Sequence, residues 1–391
     1  MNDMPAVNYL FSTPDGICVE TSPKDLSRPL ILSLSDTHQA LTLLDYFNAL
    51  ERFFLLEHND KLIEAVRRTL GLPDITMDSI NKVDICSEKL GAFYHIAAVC
   101  LHMDSTSCKL AVSTAFTRSG RLCLERDFRL IQRLRKKTGD HCLPRPFYMG
   151  STRCKSGHEF LIAVSEWLDG FHEWHFSIDP QTRDRRIALW DTYSEKHFVS
   201  CSEEQEIFRQ MAMILTLCFD PETGGQICQW HNAAGDFIVR RKQDSISTRL
   251  TTARNYQPII DDQGYRQGDI NLHLLFFFLD MTVRISMDRL DGVGAPVWAP
   301  HSLLSPVITG FIQGLDHMEK NGRLAPAKTG EFMTLLRSIS LAELYDIFQP
   351  LREIYSRENQ TDRKLIASNL DTHVKNLYKT IQNAEGMKIC E

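Results

Sequence analysis

The chain has no excess of basic residues: 44 Lys and Arg stand against 50 Asp and Glu, a formal charge of -6. Nothing in that balance neutralises a run of phosphates, which argues against nucleic acid as the principal partner. Long apolar runs are missing too. The most apolar stretch, Leu272 to Leu279, contains His273 and falls far short of the about 20 residues that cross a bilayer, so no membrane partner is expected. The first thirty residues hold Asp3, Asp15, Glu20 and several prolines and lack the basic-then-apolar order of a secretory leader. The eleven cysteines are odd in number, scattered, and never spaced C-x-x-C, which is not the pattern of a disulfide framework or a zinc knuckle. A reduced, cytoplasmic protein is the expectation. Internal repeats, low-complexity segments and a G-x-S-x-G elbow are also absent. What remains is 391 residues with 43% apolar, 24% charged and 9% aromatic side chains, enough for about two folding units. Disorder, collagen and coiled coil are excluded.

Residues 1 to about 30 read as an extended arm. From Asp36 the pattern turns helical, with Asp36 and Gln39 at capping-box spacing and Leu41, Leu44, Phe47, Leu50 and Phe54 recurring at three and four positions. A second helix from about Asp60 to Leu70 ends at Gly71 and Pro73. Ala92 to Leu101 and Lys109 to Phe116 then read as a hairpin around the Asp104 to Ser107 turn. Leu122 to Arg135 reads as a helix with Leu124, Phe128, Ile131 and Leu134 on one face. Strand character returns at Phe147 to Ser151 and at Phe160 to Leu168. A helix from Glu203 to Cys218 and short strands at 227–231, 237–241 and 256–260 precede a helical remainder, in which Ser340 with Glu343 and then Thr361 cap the last two helices.

The segment Trp230-His231-Asn232-Ala233-Ala234-Gly235-Asp236-Phe237-Ile238-Val239 resembles the catalytic loop, H-G-D-x-x-x-G-N and an apolar strand, of the kinase-fold aminoglycoside and choline phosphotransferase group. Twenty-five positions after Asp236, Pro258-Ile259-Ile260-Asp261-Asp262 is similar to that group's second metal-binding segment. The resemblance implies ATP and Mg²⁺ as cofactors, with the metal on Asp236 and Asp261 and with His231 and Asp236 at the catalytic centre. It further implies a phosphate-covering loop at Ser87 to His95 with Gly91, and a phosphate contact from Lys109. Glu125 would begin the helix that pairs with such a lysine. Leu143 to Phe147 would form the turn after it, and Glu166, Trp167 and Leu168 the hinge on which adenine stacks.

The expected fold is therefore α+β, a protein-kinase-like two-lobed fold with a helical N-terminal extension. The arm and extension take 1–81, a small β-rich lobe 82–168, and a mainly helical C-terminal lobe 169–391. Two departures from the pattern divide the functional reading. The strand Leu110 to Phe116 carries no lysine, since Lys109 lies at its start, and the loop has His231 or Ala233 where the group has its catalytic aspartate. The leading reading is a nucleotide-dependent phosphotransferase acting on a small molecule or a protein. The alternative is a catalytically degraded kinase-like scaffold that binds a nucleotide or a protein partner. His172-Glu173-Trp174-His175 places its histidines at i and i+3, whereas a helical zinc pair needs i and i+4, and it reads as aromatic packing.

Overall fold

Apolar and polar residues alternate from Lys82 to Ala115, and this segment folds as three successive strands. The computed structural model describes residues 5–13, 17–33, 36–91, 93–139, 142–155, 157–190, 196–228, 230–243, 245–259 and 269–383. The chain divides into two units, the first mainly Met1–Arg133 and Pro144–Asp169, the second mainly Leu134–Leu143, Gly170–Asp191 and Glu195–Glu391. Both are mixed α/β.

The first unit runs β1 (Ala6–Ser12), β2 (Cys18–Glu20), α1 (Pro23–Leu26), β3 (Pro29–Ser33), β4 (Asp36–Thr42), α2 (Leu43–Arg52) and α3 (Asn59–Leu70), with a π-helical turn at Phe53–Glu57 between the last two. β5 (Lys82–Leu90), β6 (His95–His102), β7 (Ser107–Ala115), α4 (Arg118–Thr138), β8 (Pro146–Arg153) and β9 (Glu159–Glu166) follow. Seven of these strands form one sheet, ordered β2-β1-β5-β6-β7-β9-β8. Every pair is antiparallel except β1 with β5. The alternation gives the sheet two apolar faces. Val83, Ile85, Val99, Leu101, Leu110, Val112, Ile162 and Val164 pack with Phe47, Leu50, Phe53, Leu62 and Val66 of the helical insertion. On the other face Ala115 and Ala163 pack with Leu124 and Phe128 of α4.

Three expectations change here. The N-terminal arm is not a free extension, because β1 pairs with β5 along six residues and brings β2 into the sheet. The first long helix starts at Leu43, not Asp36. Its capping box is Thr42 with Asp45, each side chain meeting the other's backbone N–H, while Asp36–Thr42 is a strand. The expectation of a chain without disulfides is corrected by a Cys18–Cys86 bond, which joins residues 68 apart. Spacing could not reveal it, since β1 runs between the two strands that carry the sulfurs.

The second unit, expected from the sequence to be mainly helical, also contains a five-stranded sheet, ordered β12-β11-β10-β14-β15. It comprises β10 (His172–Ile178), β11 (Arg185–Leu189) and β12 (His197–Phe198), then α5 (Cys201–Cys218), β13 (Gln226–Cys228), β14 (Phe237–Lys242), β15 (Ser245–Leu250) and β16 (Asn255–Gln257). The aromatic segment at His172 is thus a strand, paired to the 237–250 hairpin by contacts far apart in sequence. α6 (Ile270–Ile285), the small hairpin β17 (Met287–Arg289) and β18 (Pro296–Trp298), α7 (Leu304–Lys320), α8 (Lys328–Ser338), α9 (Leu341–Tyr355) and α10 (Gln360–Asn383) complete it. α6 is buried on nearly every side, as its apolar run predicts. α5 and α7 cross closely because Gly310 and Gly314 present no side chain: a Cβ at Gly310 would lie 1.9 Å from the Arg209 carbonyl. Ser340 and Glu343 form the expected capping box of α9, whereas α10 is capped by Asn359, which accepts from the N–H groups of Thr361 and Asp362.

Candidate functional site

In the second unit, the residues Trp230 to Asp236 form a loop tied to itself. Trp230 is buried edge-on against Phe237. His231 caps the 3₁₀ turn Asn232–Ala234, its Nδ1 accepting the Ala233 N–H at 3.0 Å. Asn232 donates from Nδ2 to the carbonyls of Ile285 and Met287, which anchors the loop to the end of α6. The turn closes on Gly235 at φ 67°, the left-handed region that favours glycine, and a Cβ there would stand 2.4 Å from the carboxyl carbon of Glu173, which would have to move aside. Asp236 then folds back so that its carboxylate accepts the His231 N–H at 2.9 Å, which explains why these two residues stand five apart.

The same carboxylate is held by Arg254, whose guanidinium nitrogens approach its two oxygens at 2.5 and 3.3 Å. Asp236 is 2% exposed. Arg254 lies four residues past β15, in a stretch that also pins the loop, because Thr251 donates its N–H and hydroxyl to the Asp236 carbonyl. Asp236 held in this way offers Mg²⁺ little: a hard cation needs carboxylate lone pairs, and most of those of Asp236 face a guanidinium fork and a backbone N–H. Asp261, the other expected metal ligand, lies outside the described residues.

His231 faces a cavity of about 340 Å³ bordered by Ala233, Arg289, Val293 and Asp362. Its Nε2 stands 3.9 Å from the Asp362 carboxylate, and Arg289 Nη2 stands 3.8 Å from the same oxygen. Burial lowers the imidazole below its ordinary pKa, with Asp362 pulling the other way. The ring is thus neutral near pH 7, and since Nδ1 already accepts a hydrogen bond, its proton sits on Nε2. Such a ring donates from Nε2. It has no free lone pair with which to take a proton from an acceptor. Behind the loop, His175 is enclosed by Asp288 at 3.4 Å and Glu173 at 3.8 Å. Burial pushes this ring down, but the two carboxylates outweigh it and raise its pKa to about 9.

In the first unit, two of the expected cofactor residues, Lys109 and Trp167, come together at one end of the sheet in an unexpected way. The Lys109 ammonium lies 3.8 Å from the centre of the Trp167 ring, and 3.9 Å from Glu88. It therefore covers the indole face expected to receive adenine. Glu166 accepts the Arg145 N–H at 3.0 Å, and the chain turns at once beyond it, with Asp169 donating to the Trp167 carbonyl and Leu168 half-buried. Gly91 lies in the β5–β6 turn, where its N–H bonds the Tyr94 carbonyl, and the first part of the expected phosphate-covering loop, Ser87 to Leu90, belongs to the strand β5. Glu125 is not beside Lys109 but in a surface ion pair with Arg129. The buried acid of α4 is Asp127, 5% exposed, which accepts the Tyr94 hydroxyl at 2.9 Å.

Sequence reasoning missed Arg254, Asp362, the Glu173–His175–Asp288 group and Asp127. Only Asp127 carried a local signal, lying three residues after Leu124 and one before Phe128, within the apolar stripe.

No protein-family profile and no curated protein matches the chain. Among solved structures, one of WaaP in complex with acyl carrier protein superposes with a TM-score of 0.30 at 12% identity, covering 61% of this chain and 85% of the other. A crystal structure of a kinase domain gives 0.25 at 12% identity, covering 75% and 84%. Scores this low decide nothing about fold or activity. No helix among the described residues is long and apolar enough to cross a membrane.

Proposed function

We propose that this chain is a kinase-like protein whose loop serves binding rather than metal-dependent phosphoryl transfer: the degraded scaffold, not the active phosphotransferase. The kinase-like part of the reading is supported by the first unit. Its central strands β5, β6, β7, β9 and β8 are antiparallel, and α4 lies between β7 and β8 in sequence, the arrangement that the resemblance implies for a small lobe. The observation that carries the functional part is the Asp236–Arg254 pair, since an arginine meets the carboxylate that the resemblance assigns to Mg²⁺. Lys109 over Trp167 points the same way, because a base stacking there must first displace the ammonium. On this reading the ligand is a nucleotide held without metal or a protein partner, and no phosphoryl group moves.

The test is turnover together with metal dependence. The full chain offered Mg-ATP should release no ADP above a blank, and its melting temperature should respond equally to Mg-ATP and to ATP with EDTA. A ligand at a hundredfold its dissociation constant stabilises by about 2.7 kcal/mol, so even modest binding is readable. ADP release that requires Mg²⁺ and falls in Asp236→Asn would restore the phosphotransferase reading.

A further inference from the structure

The Cys18–Cys86 pair does not stand alone. The two sulfurs and a carboxylate oxygen of Glu88 lie within 4.8 Å of one another, on β2 and β5 of the first unit. Among the described residues this is the only such group of three potential metal ligands. We propose that the reduced chain binds a zinc ion through Cys18, Cys86 and Glu88, and that the disulfide is the metal-free form of the same site.

Three features of the structure support this. The first is donor chemistry: two thiolates and a carboxylate suit a borderline-soft ion, which keeps its ligands roughly 3.5 Å apart in a tetrahedral shell. The second is local backbone. The β5–β6 register shifts between Ser87 and Lys89, so Glu88 is the extra residue of a bulge, a device that re-aims a side chain. The third is charge. Two thiolates, one carboxylate and a divalent ion leave a single negative charge, and the Lys109 ammonium 3.9 Å from Glu88 offsets it. Cys86 is buried while Cys18 is exposed, so the fourth coordination position opens to solvent and the metal has an entry path. The interconversion balances. A dithiol reductant gives two electrons and two protons to the disulfide and becomes a disulfide itself, and Zn²⁺ then displaces the two thiol protons.

This inference does not rest on the proposed function, whose carrying observation, the Asp236–Arg254 pair, lies in the other unit. The experiment uses the full chain, reduced with a dithiol and freed of it under anaerobic conditions, then titrated with Zn²⁺ against a chromophoric chelator and, separately, with Co²⁺. Reduced wild type should bind one equivalent tightly and show a thiolate-to-cobalt charge-transfer band. Cys18→Ser, at an exposed position, should lose that equivalent and the band. Glu88→Gln should weaken the site at least about tenfold, as expected on losing a ligand. Cys100→Ser, on a neighbouring strand, should change neither. The oxidised chain should bind none. Equal uptake by reduced wild type and Cys18→Ser would overturn the proposal, as would equal uptake by the oxidised and reduced chains.

Discussion

Asp236 and Glu125 look alike in the sequence, each an acid next to an apolar segment, and they end in opposite environments. Asp236 is buried in the second unit and gripped by a cation eighteen residues away, whereas Glu125 lies on the surface of α4 and meets Arg129, one helical turn on. A carboxylate taken out of water must find its counter-charge inside the fold, and the lone pairs that meet it are then not free for a metal. A carboxylate left in water pays little for a partner and gains little from one. The chemistry open to each acid is therefore set by its burial together with its neighbour, an arginine in both cases but with very different consequences.

The largest effect expected from this contrast is at Arg254. Arg254→Ala strands a buried carboxylate and should cost about 3–5 kcal/mol, read from urea unfolding at constant slope. Asp236→Asn should also melt well below wild type. If both variants match wild type within half a kcal/mol, the pair is loose, Asp236 is free to take a metal, and the contrast with Glu125 collapses.

The histidines extend the comparison to pH. His175 in the second unit has its folded pKa raised to about 9 from 6.5. A raised histidine contributes stability that is complete below about pH 6.5 and is lost as the pH climbs through 9, worth about 3 kcal/mol at most. His95 in the first unit is pushed down to about 4 by burial. Its contribution has the opposite sign: present above pH 6.5 and lost as the pH falls towards 4. Unfolding free energy measured from pH 5 to 8.5, below the range in which the buried thiols contribute, should decline above pH 6.5 in wild type and be flatter there in His175→Gln. His95→Gln should leave that alkaline decline in place and alter the acid limb instead. An alkaline limb unchanged in His175→Gln would mean that Asp288 and Glu173 do not hold the ring charged.

A smaller effect is expected inside α4, and it bears on what the sequence could tell. The helix, its apolar stripe and the strands around it were readable from period alone, because local side-chain spacing decides them. That stripe also contains Asp127, so a count along it would have directed attention inward, to Asp127, and away from Glu125. By contrast, the pairing of Asp236 with Arg254, the addition of β1 and β2 to the sheet and the strand at His172 depend on contacts between distant segments. No spacing in the chain announces them. Even the loop at His231, whose resemblance to a catalytic loop was visible, did not disclose that its carboxylate closes on its own backbone. Tyr94→Phe removes one donor from the buried Asp127 and should cost about 1–3 kcal/mol in the same unfolding assay. A cost near zero would show that the remaining contacts of Asp127 satisfy it without the phenol.

The smallest expected effect is at Glu125 itself, and its smallness is the point. The Arg129 and Glu125 side chains are 71% and 39% exposed, so water screens the pair and both long side chains lose rotamer freedom on meeting. Glu125→Gln should therefore move stability by no more than about 0.5 kcal/mol, in line with exposed pairs one helical turn apart. Whatever the pair contributes should shrink further between 50 mM and 1 M salt, as the Debye length contracts from more than 10 Å to about 3 Å. Arg129→Gln should match it, and the double variant should show almost no coupling energy. A loss above 1 kcal/mol, or one insensitive to salt, would require a buried partner for Glu125 and would return it to the lysine-pairing role that its position in the sequence first suggested.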